Sequence, residues 1–155
     1  MRQRILDVCC GSRMFWFDKH NPDVVFMDSR EISEDMPDGR RIEIKPDIHG
    51  DFRNIPYNDN TFSLVVFDPP HLKHAGKRSW LVLKYGILPE NWEHLIKAGF
   101  VECMRVLKPD GVLCMKWSDG QISTADVLRI LPIKPLFGFR RGRGIFLVFM
   151  HPKGD

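Results

Sequence analysis

Three aspartates stand at the ends of apolar runs: Asp7 follows "RIL", Asp28 follows "VVFM" and Asp68 follows "SLVVF". Packing gives no reason for this, because an ionised carboxylate is costly to bury. Ligand binding does, since open α/β sheets bind ligands beyond the carboxyl ends of their strands. The small residues of "DVCCGS" permit close backbone approach, and helix N-terminal amides can face the polar groups of a nucleoside cofactor. Asp28 comes about 20 residues after that turn, the spacing at which an acid accepts both ribose hydroxyls. Capping and turn aspartates are the plain structural alternative for this pair. A nicotinamide dinucleotide would want a turn richer in glycine for its pyrophosphate, and Gly11 alone supplies little of that. After Asp68 the chain reads "DPPH", a stiffened corner that is either a strand-to-loop turn or a reaction site.

The elements that must position these residues alternate strand and helix along the chain. "RILDV", "VVFM", "SLVVF" and "GVLCMKW" are continuously apolar, as strands covered on both faces of a parallel sheet are. "RRIEIKP" alternates and fits an edge strand. "NWEHLIKAGFVECMRVL" places Trp92, Leu95, Ile96, Gly99, Phe100, Cys103 and Leu107 on one helical stripe that ends at the turn "KPDG". "STADVLRIL" starts with the N-cap Ser123, with Asp126 three residues later, and stops at Pro132. Phe15, Trp16 and Phe17 read as the packing face of a helix after the first strand. The tail "KPLFGFRRGRGIFLVFMHP" reads as two antiparallel strands joined by an Arg/Gly turn.

The 155 residues are expected to form one domain, 43% apolar and 28% charged, ordinary values for a folded chain. No apolar window is long enough to span a membrane and no signal-peptide core opens the sequence, so a cytoplasmic location is expected. Cys9, Cys10, Cys103 and Cys114 form no C-x-x-C pair, which argues against a metal site or a disulfide framework. Net charge is only +3, but it is unevenly spread. No acid lies between Asp68 and Glu90, where Lys73, Lys77, Arg78 and Lys84 fall, and none lies between Asp126 and Asp155, where Arg129, Lys134, Arg140, Arg141, Arg143 and Lys153 fall. Brought together, the two segments make either a phosphate-binding face or solubilising surface. Trp80 stacks a base or packs, and Arg140, Arg141 and Arg143 clamp phosphates or solvate a hairpin tip.

"ILDVCCGS", "VVFMDS", "DIHGDFRNIPYNDNTFSLVVFDPPH" and "VLKPDGVLCMKW" together resemble the successive motifs of class I S-adenosylmethionine-dependent methyltransferases over nearly the whole chain. The resemblance implies a Rossmann-like α/β fold: a seven-stranded, mainly parallel sheet with helices on both faces and a C-terminal antiparallel hairpin. By position, Asp7 and the Cys9–Cys10–Gly11 turn would hold the methionine end of S-adenosylmethionine, Asp28 and Ser29 the ribose, and Asp51 and Phe52 the adenine, with Asp51 accepting from its amino group. Asp68 would border the same cofactor, which has no phosphate and so suits a turn with one glycine.

"DPPH" is similar to the D-P-P-aromatic motif of amino-methyltransferases acting on adenine or cytosine in DNA or RNA. An amine conjugated to a ring is a poor nucleophile, and acceptors aimed at its two protons favour the tetrahedral nitrogen that attacks the methyl group. The Asp68 carboxylate and the Pro69 carbonyl would be those acceptors, held by Pro69 and Pro70. His71 would stack on the base or carry a proton. Lys73, Lys77, Arg78, Trp80, Arg140, Arg141 and Arg143 would meet the nucleic acid. The resemblance thus implies methyl transfer to an amino nitrogen of a nucleobase. The rivals are an acceptor among small molecules or protein side chains, and a catalytically silent nucleic-acid-binding module. No separate target-recognition domain is expected, which leaves recognition to weak sequence preference or to a second copy or partner subunit.

Overall fold

A computed structural model describes residues 3–75, 82 and 86–154 of the chain. The apolar runs form the centre of one sheet: β1 (Ile5–Asp7), β2 (Val24–Asp28) and β6 (Phe62–Phe67) are parallel neighbours, with β1 in the middle. The short β5 (Ile48–His49) extends the sheet beyond β2, and β7 (Leu107–Ser118) extends it beyond β6, both in parallel. β9 (Gly144–Phe149) then pairs antiparallel with β7, and β8 (Phe137–Arg141) antiparallel with β9. The order β5-β2-β1-β6-β7-β9-β8 is the expected seven-stranded, mainly parallel sheet with an antiparallel C-terminal hairpin.

Three local expectations are corrected. "RRIEIKP" is not an edge of this sheet: β4 (Arg41–Ile44) pairs antiparallel with β3 (Ile32–Asp35) in a separate ribbon. Its alternation reflects Ile42 and Ile44 pointing inward and Arg41 and Glu43 outward. The segment between β1 and β2 is a series of turns rather than a helix. Phe17 is fully exposed there, while Phe15 packs edge-on against Phe146 and Trp16 against Phe26. Finally, "KPDG" is no free turn between helix and strand. Helix α1 (Trp92–Val106) runs directly into β7, and residues 108–111 bulge out while β6 advances only from Phe62 to Leu64.

Both described helices serve one face. Helix α1 buries Trp92, Ile96, Gly99, Phe100, Cys103, Met104 and Val106, and α2 (Thr124–Ile130) buries Val127. The Ser123 hydroxyl caps α2 by accepting from the Asp126 amide at 3.1 Å, as its sequence signature requires. These side chains share a core with alternate residues of the strands, among them Leu6, Val25, Val65, Leu113 and Phe149. On the opposite face Cys10, Val24 and Phe26 form a small separate cluster against Ile5 and Trp16, covered by the turns after β1. Among the described residues no helix is long and apolar enough to cross a membrane.

One close approach joins this scaffold to the loops above it. A Cβ on Gly99 would lie 2.4 Å from Phe52 Cδ2 and 2.9 Å from Phe67 Cζ, well inside contact distance, so Phe52 is seated where α1 lacks a side chain. Gly99→Ala gains about 1 kcal/mol of helix propensity but meets an overpacking cost of about 1–3 kcal/mol. Packing is expected to win, with a fall in Tm of roughly 2–8 °C in a thermal melt followed by circular dichroism. A rise in Tm would show that Phe52 does not rest on this helix.

Candidate functional site

A cavity of about 430 Å³ opens at the carboxyl ends of β1, β2 and β6. Its wall begins with the turn Cys9–Cys10–Gly11, which the neighbouring strand holds by two contacts. The Cys10 amide donates to the Met27 carbonyl at 2.8 Å, and the Gly11 amide donates to Asp28 Oδ2 at 2.9 Å. Gly11 takes φ +50° to do so, a conformation a glycine adopts without penalty.

Asp28 and Ser29 stand in the same wall, where the sequence places them. Asp28 is only 3% exposed, and its oxygens are already engaged. Besides Gly11, they accept from the Arg30 amide at 2.9 Å and from Arg30 Nε at 3.1 Å. Arg30, which the sequence reading passed over, is itself part of the wall. The signal was present in "DSR": a cation two residues beyond an acid at a strand end.

Asp7 stands behind the wall rather than in it. It is 1% exposed, with Oδ2 accepting from Trp16 Nε1 at 2.7 Å and Oδ1 without a partner among the described residues. Burial raises its carboxyl to about 7; the Trp16 hydrogen bond opposes this, and the nearby Asp68 and Asp28 add to it. Asp51, like Asp28, is paired with an arginine two residues on. Its carboxylate is held by Arg53, whose Nη2 donates at 2.6 Å and keeps the acid below its usual range. It stands outside the cavity wall, next to Phe52, which lines it and is edge-to-face with Phe67 at 5.4 Å.

Asp68 and Pro70 complete the centre of the wall, and Pro69 is buried behind them. Burial raises the Asp68 carboxyl to about 6, with the charge of Lys116 opposing. His71 is outside the wall, half-buried and edge-on to Trp117 with ring centroids 6.4 Å apart. Burial, helped by Lys116, lowers its pKa and favours the neutral imidazole. The loop beyond is clipped by Gln121, whose Oε1 accepts from the Lys73 amide at 2.5 Å and the His74 amide at 3.0 Å, while Nε2 donates to the His74 carbonyl at 2.9 Å. No sequence signal marked Gln121, because its partners lie 47 and 48 residues away.

The basic residues divide. Arg140 is neutralised by Asp119 at 2.7 Å, and the exposed Arg143 lies near Gly120. Arg141 lines the cavity, together with Lys116 of β7. Lys73 is exposed and takes part in the clip through its backbone. Lys77, Arg78 and Trp80 lie outside the described residues. Among the described residues no group of His, Cys, Asp or Glu side chains could hold a metal ion.

No protein-family model matches the sequence, and no curated protein matches it. Solved structures do resemble it. The PH0226 protein from Pyrococcus horikoshii OT3 aligns with a TM-score of 0.62 at 17% identity, over 99% of this chain and 83% of that one. A TehB-like SAM-dependent methyltransferase from Corynebacterium glutamicum ATCC 13032 Kitasato aligns with a TM-score of 0.58 at 17% identity, over 98% of this chain and 82% of that one. The [4+2]-cyclase SpnF aligns with a TM-score of 0.50 at 15% identity, over 88% of this chain and 52% of that one. At such identities the likeness is one of architecture: the chain has a Rossmann-like fold of the class I methyltransferase type.

Proposed function

We propose that the protein is an S-adenosylmethionine-dependent methyltransferase whose acceptor is an exocyclic amino nitrogen of adenine or cytosine. One observation carries this reading: Asp68 and Pro70 share a single cavity wall with the Cys9–Gly11 turn and Asp28. An amine at Asp68 therefore stands beside the place where a nucleoside cofactor would be held.

The residues present fit that cofactor. It is a cation, and Asp7 and Asp68 are acids that burial leaves near 7 and 6; a cation beside them draws both towards the carboxylate. Asp7 Oδ1 is a buried acceptor with no hydrogen-bond partner among the described residues. Cys9, Cys10, Gly11, Asp28 and Ser29 would hold the polar parts, and Phe52 on Gly99 offers an aromatic wall for the base. When bound, the cofactor supplies an electrophilic methyl group on its sulfonium.

The chain's own residues then have limited work. The Asp68 carboxylate accepts a hydrogen bond from the amine and favours the tetrahedral nitrogen, a charge arrangement set before the reaction. Pro69 and Pro70 fix φ and keep the corner in place. His71, against Trp117, positions the strand-to-loop exit. No strong general base is required, because the amine becomes acidic only once alkylated.

The direct test is incubation with labelled S-adenosylmethionine and pools of DNA, RNA, nucleotides and other metabolites, followed by mass spectrometry of the labelled products. Label on an exocyclic nitrogen is expected; label confined to other metabolites would overturn the nucleobase assignment. Asp68→Ala removes both acceptor oxygens, so turnover should drop about 10²–10³-fold. Its affinity for S-adenosylhomocysteine, measured by calorimetry, should stay within about threefold of the parent's. Loss of both together would move Asp68 to the cofactor. The ionised Asp68 is the active form, so with its carboxyl raised to about 6, kcat/KM should fall about tenfold per unit below that pH and level off above 7. A flat profile down to pH 5 would exclude this role.

A further inference from the structure

The cavity is electrically lopsided. At its β1–β2 side Arg30 is paired with Asp28, and nearby on the surface Arg140 is paired with Asp119. Lys116 and Arg141, in the wall at the β7–β9 side, have no such close partner: among the described residues neither side chain makes a hydrogen bond or an ion pair, although the Lys116 charge acts on Asp68 and His71. The segments 76–81 and 83–85 contain no acid in sequence, so that stretch offers them none either.

The strand register brings these cations together. Lys116 lies opposite Phe146 across β7 and β9, and Arg141 lies opposite Gly144 across β8 and β9. Gly144 is the gap between them. A Cβ there would stand 3.2 Å from Lys116 Cε and 3.4 Å from the Arg141 carbonyl, so the missing side chain lets the lysine stem pass along the strand end. The floor of this corner is apolar and aromatic. Phe15 meets Phe146 edge-on at 5.6 Å, and Lys116 Nζ stands 5.4 Å from the Phe15 ring. Both rings line the cavity, with Asp68 between this corner and the Cys9–Gly11 turn.

We infer that Lys116 and Arg141 form a phosphate-binding corner, with Phe15 and Phe146 as the wall for the attached base, so that the methyl acceptor enters as a phosphorylated nucleoside unit. This rests on the reading of Asp68 as the amine's acceptor and adds the substrate's second handle. A guanidinium presents two parallel donors to phosphate oxygens and an ammonium adds a point charge. A planar apolar floor suits a ring better than it suits a flexible aliphatic acid. The same phosphate chemistry is offered by a free nucleotide and by the backbone of a nucleic-acid strand.

Calorimetric titrations separate these sources and test the corner itself. The probes are AMP against adenosine, CMP against cytidine, a five-residue single-stranded oligonucleotide, and S-adenosylhomocysteine. Each is titrated into the parent chain, Lys116→Gln and Arg141→Gln. For a free nucleotide, the monophosphates bind at least tenfold tighter than the nucleosides. Each variant then loses at least fivefold of that affinity, while nucleoside and S-adenosylhomocysteine affinities stay within twofold. For a strand, the same losses appear with the oligonucleotide and not with the monophosphates. Either pattern bears out the corner. Two results overturn it: variants that bind both phosphate probes as the parent does, or variants that lose S-adenosylhomocysteine in equal measure, which would give the cations to the cofactor's carboxylate. Phosphate discrimination without any methyl transfer would instead sink the methyltransferase reading and leave the corner standing.

Discussion

The Asp28 carboxylate is 3% exposed, closes β2, and accepts from the Gly11 amide, the Arg30 amide and Arg30 Nε. Hydrogen bonds to a charged acceptor contribute about 1.5–3 kcal/mol each; the one from Gly11 ties the turn after β1 to the end of β2, and the two from Arg30 hold the chain just beyond β2. They also reach the third strand. A Cβ on Gly86 would lie 3.8 Å from Arg30 Nη1 and 3.4 Å from Pro70 Cγ, so the Arg30 side chain extends from Asp28 towards the diproline corner. The shape of this side of the cavity therefore follows from one buried acid and the arginine paired with it. Binding a ribose at Asp28 would mean exchanging some of those hydrogen bonds for the sugar's hydroxyls. In that exchange Arg30 is the mobile partner, since Gly11 and the Arg30 amide belong to the backbone.

What could be read from the sequence is what depends on local pattern. The continuous apolar runs determine a parallel sheet, the Ser123 cap determines a helix start, and the Arg/Gly turn determines a hairpin; each involves neighbours in the chain. The three strand-end aspartates were legible for the same reason, and two of them line the cavity while Asp7 backs it. What was not legible depends on distant partners. Phe15, Trp16 and Phe17 look like one face of a helix, yet their contacts are Phe146, Phe26 and solvent. Asp51 follows a family motif by position, but its ion pair with Arg53 was not read from the motif. Lys116 reads as a stray cation in a buried strand until Gly144 and Arg141 are brought beside it by β9 and β8.

The acids of the site differ in purpose because their surroundings differ. Asp28 has direct hydrogen-bond partners in Gly11 and Arg30. Asp51 is paired with Arg53, which holds its carboxyl below the usual range. Asp7 and Asp68 have no cation in contact among the described residues, so burial dominates and raises them to about 7 and about 6. A site tuned in this way responds to the charge of what enters it. A neutral ligand of the same shape would leave Asp7 and Asp68 partly protonated, whereas a cation is favoured by both. That preference would separate a sulfonium from its thioether product and help the product leave.

Lys116 connects the two halves of the cavity. Its charge lowers the Asp68 carboxyl against the effect of burial and also disfavours protonation of His71. An anion neutralising Lys116 would remove part of that support and let the Asp68 pKa rise, weakening the acceptor at the moment the substrate arrives. A cation on the other side of Asp68 acts in the opposite sense. The two ligands proposed here carry opposite charges on either side of the same carboxylate, so each offsets the other's effect on it. With phosphate alone Asp68 is held protonated longer, and with the sulfonium alone it is ionised but has nothing to accept from. Only the ternary arrangement leaves an ionised acceptor facing an amine, which is a physical reason for a single lysine to stand between the corner and the site of reaction.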